Sequence, residues 1–297
     1  MSYLSQEFLS KYEGLRPRHA GVLFDVVYLR TYSRWLEDKK RRETWKETVE
    51  RVVNYNMSLY SGPKPQEALV PEAEELFDRI FHLEILPAGR SLWVGGTKTA
   101  YLKPEVTFNC AFVVMDELEG ITDLFHLLLC GCGVGFRVLP EDVAKLPHTG
   151  INIKVINRPY EPIQSKMEHT WFTKTDNKWK IFVGDSREGW VSALKRFLEA
   201  CKETGSIIEM DYNAVRPAGS RIKTFGGRAP GPEGIMEMCL NIANIVNSAK
   251  GKLKPVDVMD ICNFIGKNVI IGGTRRSSQV SLGAMEDQEF IDAKKDL

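Results

Sequence analysis

The sequence has no excess of charge of either sign: 40 lysines and arginines stand against 39 aspartates and glutamates, a formal charge of +1 over 297 residues. That balance excludes the broad basic surface that DNA, RNA or an anionic membrane would need, but not a small anion held by a few local cations. Long apolar runs are missing too. The most apolar stretch, Leu124 to Phe136, is broken by His126 and is too short to cross a bilayer. The start, MSYLSQEFLSKYEG, lacks the basic residues and apolar core of a secretion signal. Cysteine is sparse: Cys110, Cys130, Cys132, Cys201, Cys239 and Cys262 are too scattered for a secreted disulfide framework. A reducing cytoplasm follows, where any disulfide is transient and chemical. There is no Gly-x-Ser-x-Gly elbow, no phosphate loop ending in Gly-Lys-Ser/Thr, no His-Glu-x-x-His, no internal repeat and no low-complexity segment.

With 43% hydrophobic residues the chain can bury a full core, as one large domain or two smaller ones. Its organising stretch is TFNCAFVVM at 107–115, whose β-branched and aromatic residues predict a strand with Cys110 in its middle. Leu118, Ile121, Leu124, Phe125 and Leu128 then recur at helical spacing and predict a crossover helix, followed by a second strand near Val134 to Leu139. The glycines of GCGVGF, 131–136, fall where that second strand begins. A thiol and a bare backbone turn would thus sit on neighbouring parallel strands, where a small ligand can lie flat on glycine within reach of a sulfur. The Gly-x-Gly-x-Gly spacing matches a dinucleotide fingerprint loosely, but here a helix feeds a strand, the reverse of the order that places phosphate on a helix N-terminus. Cys130 and Cys132 are one residue apart, too close for a chelating turn, so core packing is their reading and no metal is expected. On residue type alone Cys110 is a small buried hydrophobe.

Elsewhere, the arginines and aromatics of 15–42, with their KKRR run, predict a solvated helix face. Trp45, Val49, Val52, Val53, Met57 and Tyr60 make one apolar helical stripe, and Pro71 opens another helix with Leu76, Phe77, Ile80 and Phe81 inward. LPAGRSLWVGGT, 86–97, is punctuated by proline and glycine and predicts a shaped loop, in which Ala88 to Ser91 could offer backbone donors and a guanidinium. Strands are expected near 151–156, 179–183 and 206–210, with Asp185 and Glu188 as a capping pair for the helix after VGDS. The stretch 211–234 sets Arg216, Arg221, Lys223 and Arg228 among glycines and prolines ahead of a helix at 233–250, an arrangement suited to phosphate. A last long helix opens at Pro255, and GGTRRSS at 272–278 joins it to a short strand, with two arginines able to make bidentate contacts.

Taken in order, PAGRSLW, FNCAFV, GCGVGF, VGDSREGW, RPAGSRIKTFGG with GPEG, and GGTRRSSQVSLG resemble the adenosylcobalamin-dependent (class II) ribonucleotide reductases, in particular the monomeric triphosphate-reducing branch. The resemblance runs from about residue 45 to the end. It implies an α/β fold: the N-terminal part of a ten-stranded α/β barrel, preceded by a helical segment and containing an α+β effector-binding insertion. The implied divisions are 1–85 helical, 86–157 first barrel strands, 158–271 a dimer-mimicking effector insertion, and 272–297 specificity loop and next strand and helix. Reduction of a ribose 2′-hydroxyl needs two thiols that become a disulfide, and the resemblance makes Cys110 one of them. It places Gly131, Gly133 and Gly135 beneath the nucleotide, and Ala88, Gly89, Arg90 and Ser91 at its phosphates or sugar. Asp185, Ser186, Arg187, Arg221 and Lys223 are implied effector ligands, and Gly272, Gly273, Thr274, Arg275, Arg276 and Ser277 the specificity loop. The implied partners are a ribonucleoside triphosphate, a deoxynucleotide effector, a thioredoxin-like reductant and a complementary C-terminal polypeptide, with no nucleic-acid polymer and no membrane. The family's radical cysteine, the second redox thiol and the adenosylcobalamin site have no counterpart here. The expectation is an N-terminal portion that does not turn over alone. The competing reading is a regulatory nucleotide-binding module without catalysis, and a third is a structural protein with no deoxynucleotide affinity.

Overall fold

The computed structural model describes residues 2–61, 67–163, 167–221, 228–271, 275–276 and 278–295. Its contacts divide into two compact units, Met1–Phe108 and Asn109–Leu297.

The first unit is mainly helical: α1 (Gln6–Ser10), α2 (Val22–Val27), a π-helical turn at Tyr28–Tyr32, a two-residue hairpin of β1 (Trp35–Leu36) and β2 (Arg41–Arg42), then α3 (Trp45–Ser61), α4 (Val70–Phe81), α5 (Gly89–Val94) and α6 (Lys98–Leu102). The α3 stripe packs Val49, Val52 and Val53 against Phe77 and Phe81 of α4, with Tyr12 edge-on to both rings. The KKRR run is not a helix face. Its chain reverses through Lys40 at φ 50° into the hairpin, and Lys39 and Arg41 both bond Glu47 at the start of α3. Chiefly through Arg41, that carboxyl is held well below the usual carboxylate range.

The segment 86–97 also departs from its expected form. Pro87 precedes α5 and Gly95 and Gly96 follow it, so the punctuation marks the two ends of a short helix rather than a loop. Leu92 and Val94 are buried, and Arg51 bonds the Leu92 and Gly95 carbonyls. These contacts hold 86–108 to the helical unit, which therefore ends at Phe108 and not near residue 85.

The second unit carries β3 (Cys110–Val114), α7 (Leu118–Leu129), β4 (Gly133–Arg137), α8 (Pro140–Val143), β5 (Lys154–Asn157), β6 (Trp171–Thr175), β7 (Lys178–Phe182), α9 (Arg187–Ala200), β8 (Ile207–Asp211), α10 (Glu233–Ser248), α11 (Pro255–Asn268), β9 (Ile270–Ile271), β10 (Arg275–Arg276), β11 (Ser278–Leu282) and α12 (Gln288–Asp292). A three-stranded parallel sheet has the order β11-β4-β3, and a four-stranded mixed sheet the order β5-β8-β7-β6. Among the described residues these sheets do not close into a ten-stranded barrel. β5, expected with the first barrel strands, instead pairs parallel with β8. β6 escaped the sequence reading, since WFTKT has every residue exposed and so little apolar contrast. Its partner β7 turns Trp179 and Ile181 inward. Among the described residues no helix is long and apolar enough to cross a membrane.

Candidate functional site

Parallel pairing sets Cys110 opposite Gly133 and Phe112 opposite Gly135, with Ser278 and Val280 of β11 on the far side of the same two glycines. Because side chains alternate across a strand, Cys110, Phe112, Gly133, Gly135, Arg137, Ser278, Val280 and Leu282 share one face. The opposite face sends Val134 and Phe136 into the core, with α7 packed on β3 and β4 and α11 on β11. The Cys110 face is open: Phe112 is 54% and Val280 61% exposed. Cys110 is the first residue of its strand rather than the middle, and it is exposed while the other five cysteines are buried. The residue-type reading of Cys110 as a buried hydrophobe therefore fails, and the geometry of thiol beside bare backbone holds.

The three glycines of the turn do different things, and Gly135 lies against Phe112, whose Cδ2 would stand 2.9 Å from a Cβ there. Gly131 ends α7: at φ 80° it donates to Leu128 O at 2.8 Å, and Cys132 donates back to Leu127 O at 3.0 Å. That double closure is a Schellman motif, so a glycine at 131 is explained by helix termination alone. Gly133, by contrast, has no atom nearer than 3.8 Å to where a Cβ would stand. Among the described residues nothing demands glycine there. A cleft of about 440 Å³ runs along β3, the edge strand of its sheet among the described residues, beside Asp123 and His126 of α7, and its lining includes neither Cys110 nor Gly133.

In the helical unit, Arg90 does not offer its guanidinium outward. Its side chain is buried, Nη1 donates to Val106 O at 3.0 Å, and the group lies 5.8 Å over the Trp93 ring. Ala88 caps α5 through its backbone, its carbonyl accepting from Ser91 and Leu92 N–H, with Gly89 opening the helix.

The start of α9 is built by close approach. A Cβ on Gly184 would fall 2.5 Å from Glu168 O, and one on Gly189 2.6 Å from the same oxygen. VGDSREGW can thus press on 167–170, where Asp185 N–H donates to Met167 O and Gly184 N–H to Thr170 Oγ1. The helix cap is Ser186, whose Oγ accepts from Gly189 N–H at 2.9 Å, and not the expected Asp185. The Asp185 carboxylate is taken by Arg216, at 2.8 Å from Nε and 3.3 Å from the backbone N–H. Arg216 Nη1 also reaches Arg221 O, so one guanidinium ties the α9 start to the 216–221 segment. Arg216 was expected only as one cation of the phosphate-suited stretch 211–234 and not among the effector ligands; its partner Asp185 is what sequence reading missed. Arg221 is exposed and bridges to Arg228 through its backbone. Arg187 donates to Cys130 Sγ at 3.2 Å. Lys223, Gly272, Gly273, Thr274 and Ser277 lie outside the described residues, while the backbones of Arg275 and Arg276 pair with Ile271 and Ile270.

The family model described as the ribonucleotide reductase alpha domain matches residues 4–97, and that of the B12-dependent ribonucleotide reductase insertion domain matches 162–246. The crystal structure of a B12-dependent (class II) ribonucleotide reductase superposes with a TM-score of 0.81 at 30% identity, over 99% of this chain and 46% of that one. The chain belongs to the class II ribonucleotide reductase family. Similar curated members are the adenosylcobalamin-dependent ribonucleoside-triphosphate reductases of Lactobacillus acidophilus, 33% identical over 337 residues, and Lactobacillus leichmannii, 32% identical over 335 residues. Each alignment takes in 99% of this chain and 45% of the relative, so the chain spans a little under half their length. The insertion-domain match takes in β6, β7, α9, β8 and most of α10.

Proposed function

We propose that this chain takes part in reducing ribonucleoside triphosphates to 2′-deoxyribonucleoside triphosphates, with Cys110 as one of two redox thiols and the Gly133–Gly135 backbone as the floor under the ribose. In that reaction the C2′–O bond breaks, the oxygen leaves as water, a C2′–H bond forms, and two thiols are oxidised to one disulfide, so that atoms and electrons balance. The observation that carries the reading is the register of Cys110 on Gly133, on a face open to solvent. Parallel sheets are ordinarily covered on both faces, and one left open beside a thiol is suited to a ligand and to further strands of a barrel. The second thiol is assigned to a segment other than these residues, because the remaining cysteines are buried. Ala88, Gly89 and Ser91 remain proposed phosphate or sugar contacts through their backbone, whereas the inward-turned Arg90 fits a structural part better.

The relatives named above depend on adenosylcobalamin, which supplies a radical when bound. The described polar side chains of the open face are Cys110, Arg137 and Ser278, and Arg137 is engaged by Asp142 at 2.8 Å. That set does not fit the amide-fringed corrin, so the cofactor is assigned to residues beyond these and no step is derived through it.

The start of α9 and the 211–221 segment are read as the deoxynucleotide effector site, with Asp185, Ser186, Arg216 and Arg221 as its frame, and GGTRRS as the loop that relays effector identity to the substrate base. A thioredoxin-like protein would re-reduce the disulfide, and the setting is read as cytoplasmic. The test is complementation. The chain is mixed with the C-terminal 55% of the Lactobacillus leichmannii relative, the complement of the 45% it matches. Adenosylcobalamin, dithiol and a ribonucleoside triphosphate are added. Deoxynucleotide formation that disappears with Cys110→Ser supports the reading; formation that survives the substitution refutes it. No formation, with tight deoxynucleotide binding retained, would favour the regulatory-module reading.

A further inference from the structure

Cys130 has no assigned part in the reaction proposed above, and Arg187, expected as an effector ligand, turns its guanidinium to the Cys130 sulfur instead. Cys130 caps the C-terminus of α7, its N–H donating to His126 O at 2.9 Å and its Sγ lying 3.6 Å from His126 Nε2. The next residues make the turn through Gly131 and Cys132 that delivers Gly133, whose N–H donates to Asn109 O at 2.8 Å, one residue before Cys110. Arg187 is the first helical residue of α9, directly after the capping Ser186. Its guanidinium donates to Cys130 Sγ at 3.2 Å. On the other side of Ser186, Asp185 is clamped by Arg216, which also holds Arg221 O. Contacts thus run from Arg221 through Arg216 to Asp185, the chain itself carries the line past Ser186 to Arg187, and Arg187 reaches Cys130 at the head of the Gly131–Gly133 turn. Elsewhere along the α7–α9 contact, Lys195 bonds Glu119 at 3.0 Å, joining the start of α7 to the second half of α9.

We infer that Arg187 is a positioning residue, coupling occupancy of the effector segment to the placement of the glycine turn under the substrate, and is not a ligand of the effector phosphates. The inference rests on reading the α9 start as an effector site. The chemistry of the pair suits such coupling. A planar, permanently charged guanidinium and a weak sulfur acceptor make a directional link that can lengthen when the α9 start shifts, without leaving a charged acceptor stranded in the core.

The test uses the 297-residue chain and four forms: wild type, Arg187→Met, Cys130→Ala and Cys130→Ser. The first measurement is the rate of iodoacetamide alkylation at Cys110 with and without a saturating deoxynucleoside triphosphate, with the nucleotide Kd determined alongside. The expected result is a rate change of about fivefold or more in wild type, loss of that change in Arg187→Met and Cys130→Ala with Kd within about twofold, and its recovery in Cys130→Ser, which keeps an acceptor. Should Arg187→Met fold poorly, the two Cys130 substitutions still decide. A Kd raised about tenfold in Arg187→Met would make it an effector ligand and overturn the inference. So would an unchanged response in the variants, or a wild-type chain that binds deoxynucleotide with no change at Cys110. A wild-type chain that binds no deoxynucleotide sinks the effector reading and the coupling together. The tether is then read separately by hydrogen exchange at the Gly131, Cys132 and Gly133 amides, expected to quicken in Arg187→Met.

Discussion

Alanine at 131 and at 133 should have opposite effects, although the two positions are two residues apart in one glycine turn. At Gly131 the φ of 80° is the left-handed conformation, in which a Cβ crowds the following carbonyl. Alanine there should cost about 1–2 kcal/mol, and since ~1 kcal/mol shifts the midpoint of a domain this size by roughly 2–4 °C, the fall should be about 2–8 °C. At Gly133 the nearest atoms to a new Cβ are Ser278 Cβ at 3.8 Å and Asn109 O at 3.9 Å, ordinary van der Waals contact. A glycine replaced without strain stiffens the unfolded chain, so alanine at 133 should leave stability unchanged or raise it by about 0.4–1 kcal/mol. Its methyl nevertheless projects from the Cys110 face, where the ribose is proposed to lie. Ribonucleoside triphosphate affinity, followed by titration calorimetry, should drop about tenfold or more, the equivalent of ~1.4 kcal/mol. Scanning calorimetry supplies the stability arm. The reasoning fails if Gly133→Ala is as destabilising as Gly131→Ala, or if it binds ribonucleotide as tightly as wild type.

Arg216→Met leaves Asp185 without its 2.8 Å donor and frees the 216–221 segment. It should cost about 1–3 kcal/mol of stability in urea denaturation and weaken deoxynucleotide binding together with it. Loss of stability with intact deoxynucleotide affinity would remove that segment from the effector site. On the acid side, Asp142 is held below the usual carboxylate range chiefly by its bond to Arg137, and Glu47 chiefly by Arg41. Carboxyls depressed in the folded state contribute stability above their unfolded pKa of ~4 and lose it as pH falls through the folded values. Stability measured from pH 6 downward should therefore decline below pH ~4, and Arg137→Met should flatten part of that decline. On the alkaline side, burial pushes the Cys239 thiol up to about 12 and the Cys201 and Cys262 thiols up as well. The unfolded thiols ionise first, so stability should fall as pH rises above ~8.5, and Cys239→Ala should blunt the fall.

The β3–α7–β4 unit was legible because its signals are local and agree: β-branched runs, a helical stripe between them and a glycine turn. What the pattern could not separate was why each glycine is there, since helix termination at 131 and an open face at 133 look alike in a string of letters. Exposure of Cys110 was equally invisible from residue type, because it depends on a face left open by the sheet order rather than on neighbouring residues. Proline and glycine density misled at 86–97, where the breakers bracket α5 instead of filling a loop. At Asp185 the local capping pattern was sound, but a partner 31 residues away, Arg216, claimed the carboxylate and left the cap to Ser186. The basic run at 39–42 reads as solvated helix only while its partner Glu47 is out of view; that carboxylate draws Lys39 and Arg41 into a hairpin.

The central claim is that a ribonucleotide sugar lies on the Gly133 backbone within reach of the Cys110 sulfur. Peptide mapping after brief iodoacetamide treatment tests it directly, because Cys110 is exposed and the other five cysteines are buried. The account predicts label at Cys110 in the free chain, suppressed by a saturating ribonucleoside triphosphate and restored when Gly133→Ala blocks the floor. Labelling at Cys110 that is indifferent to ribonucleotide would contradict it.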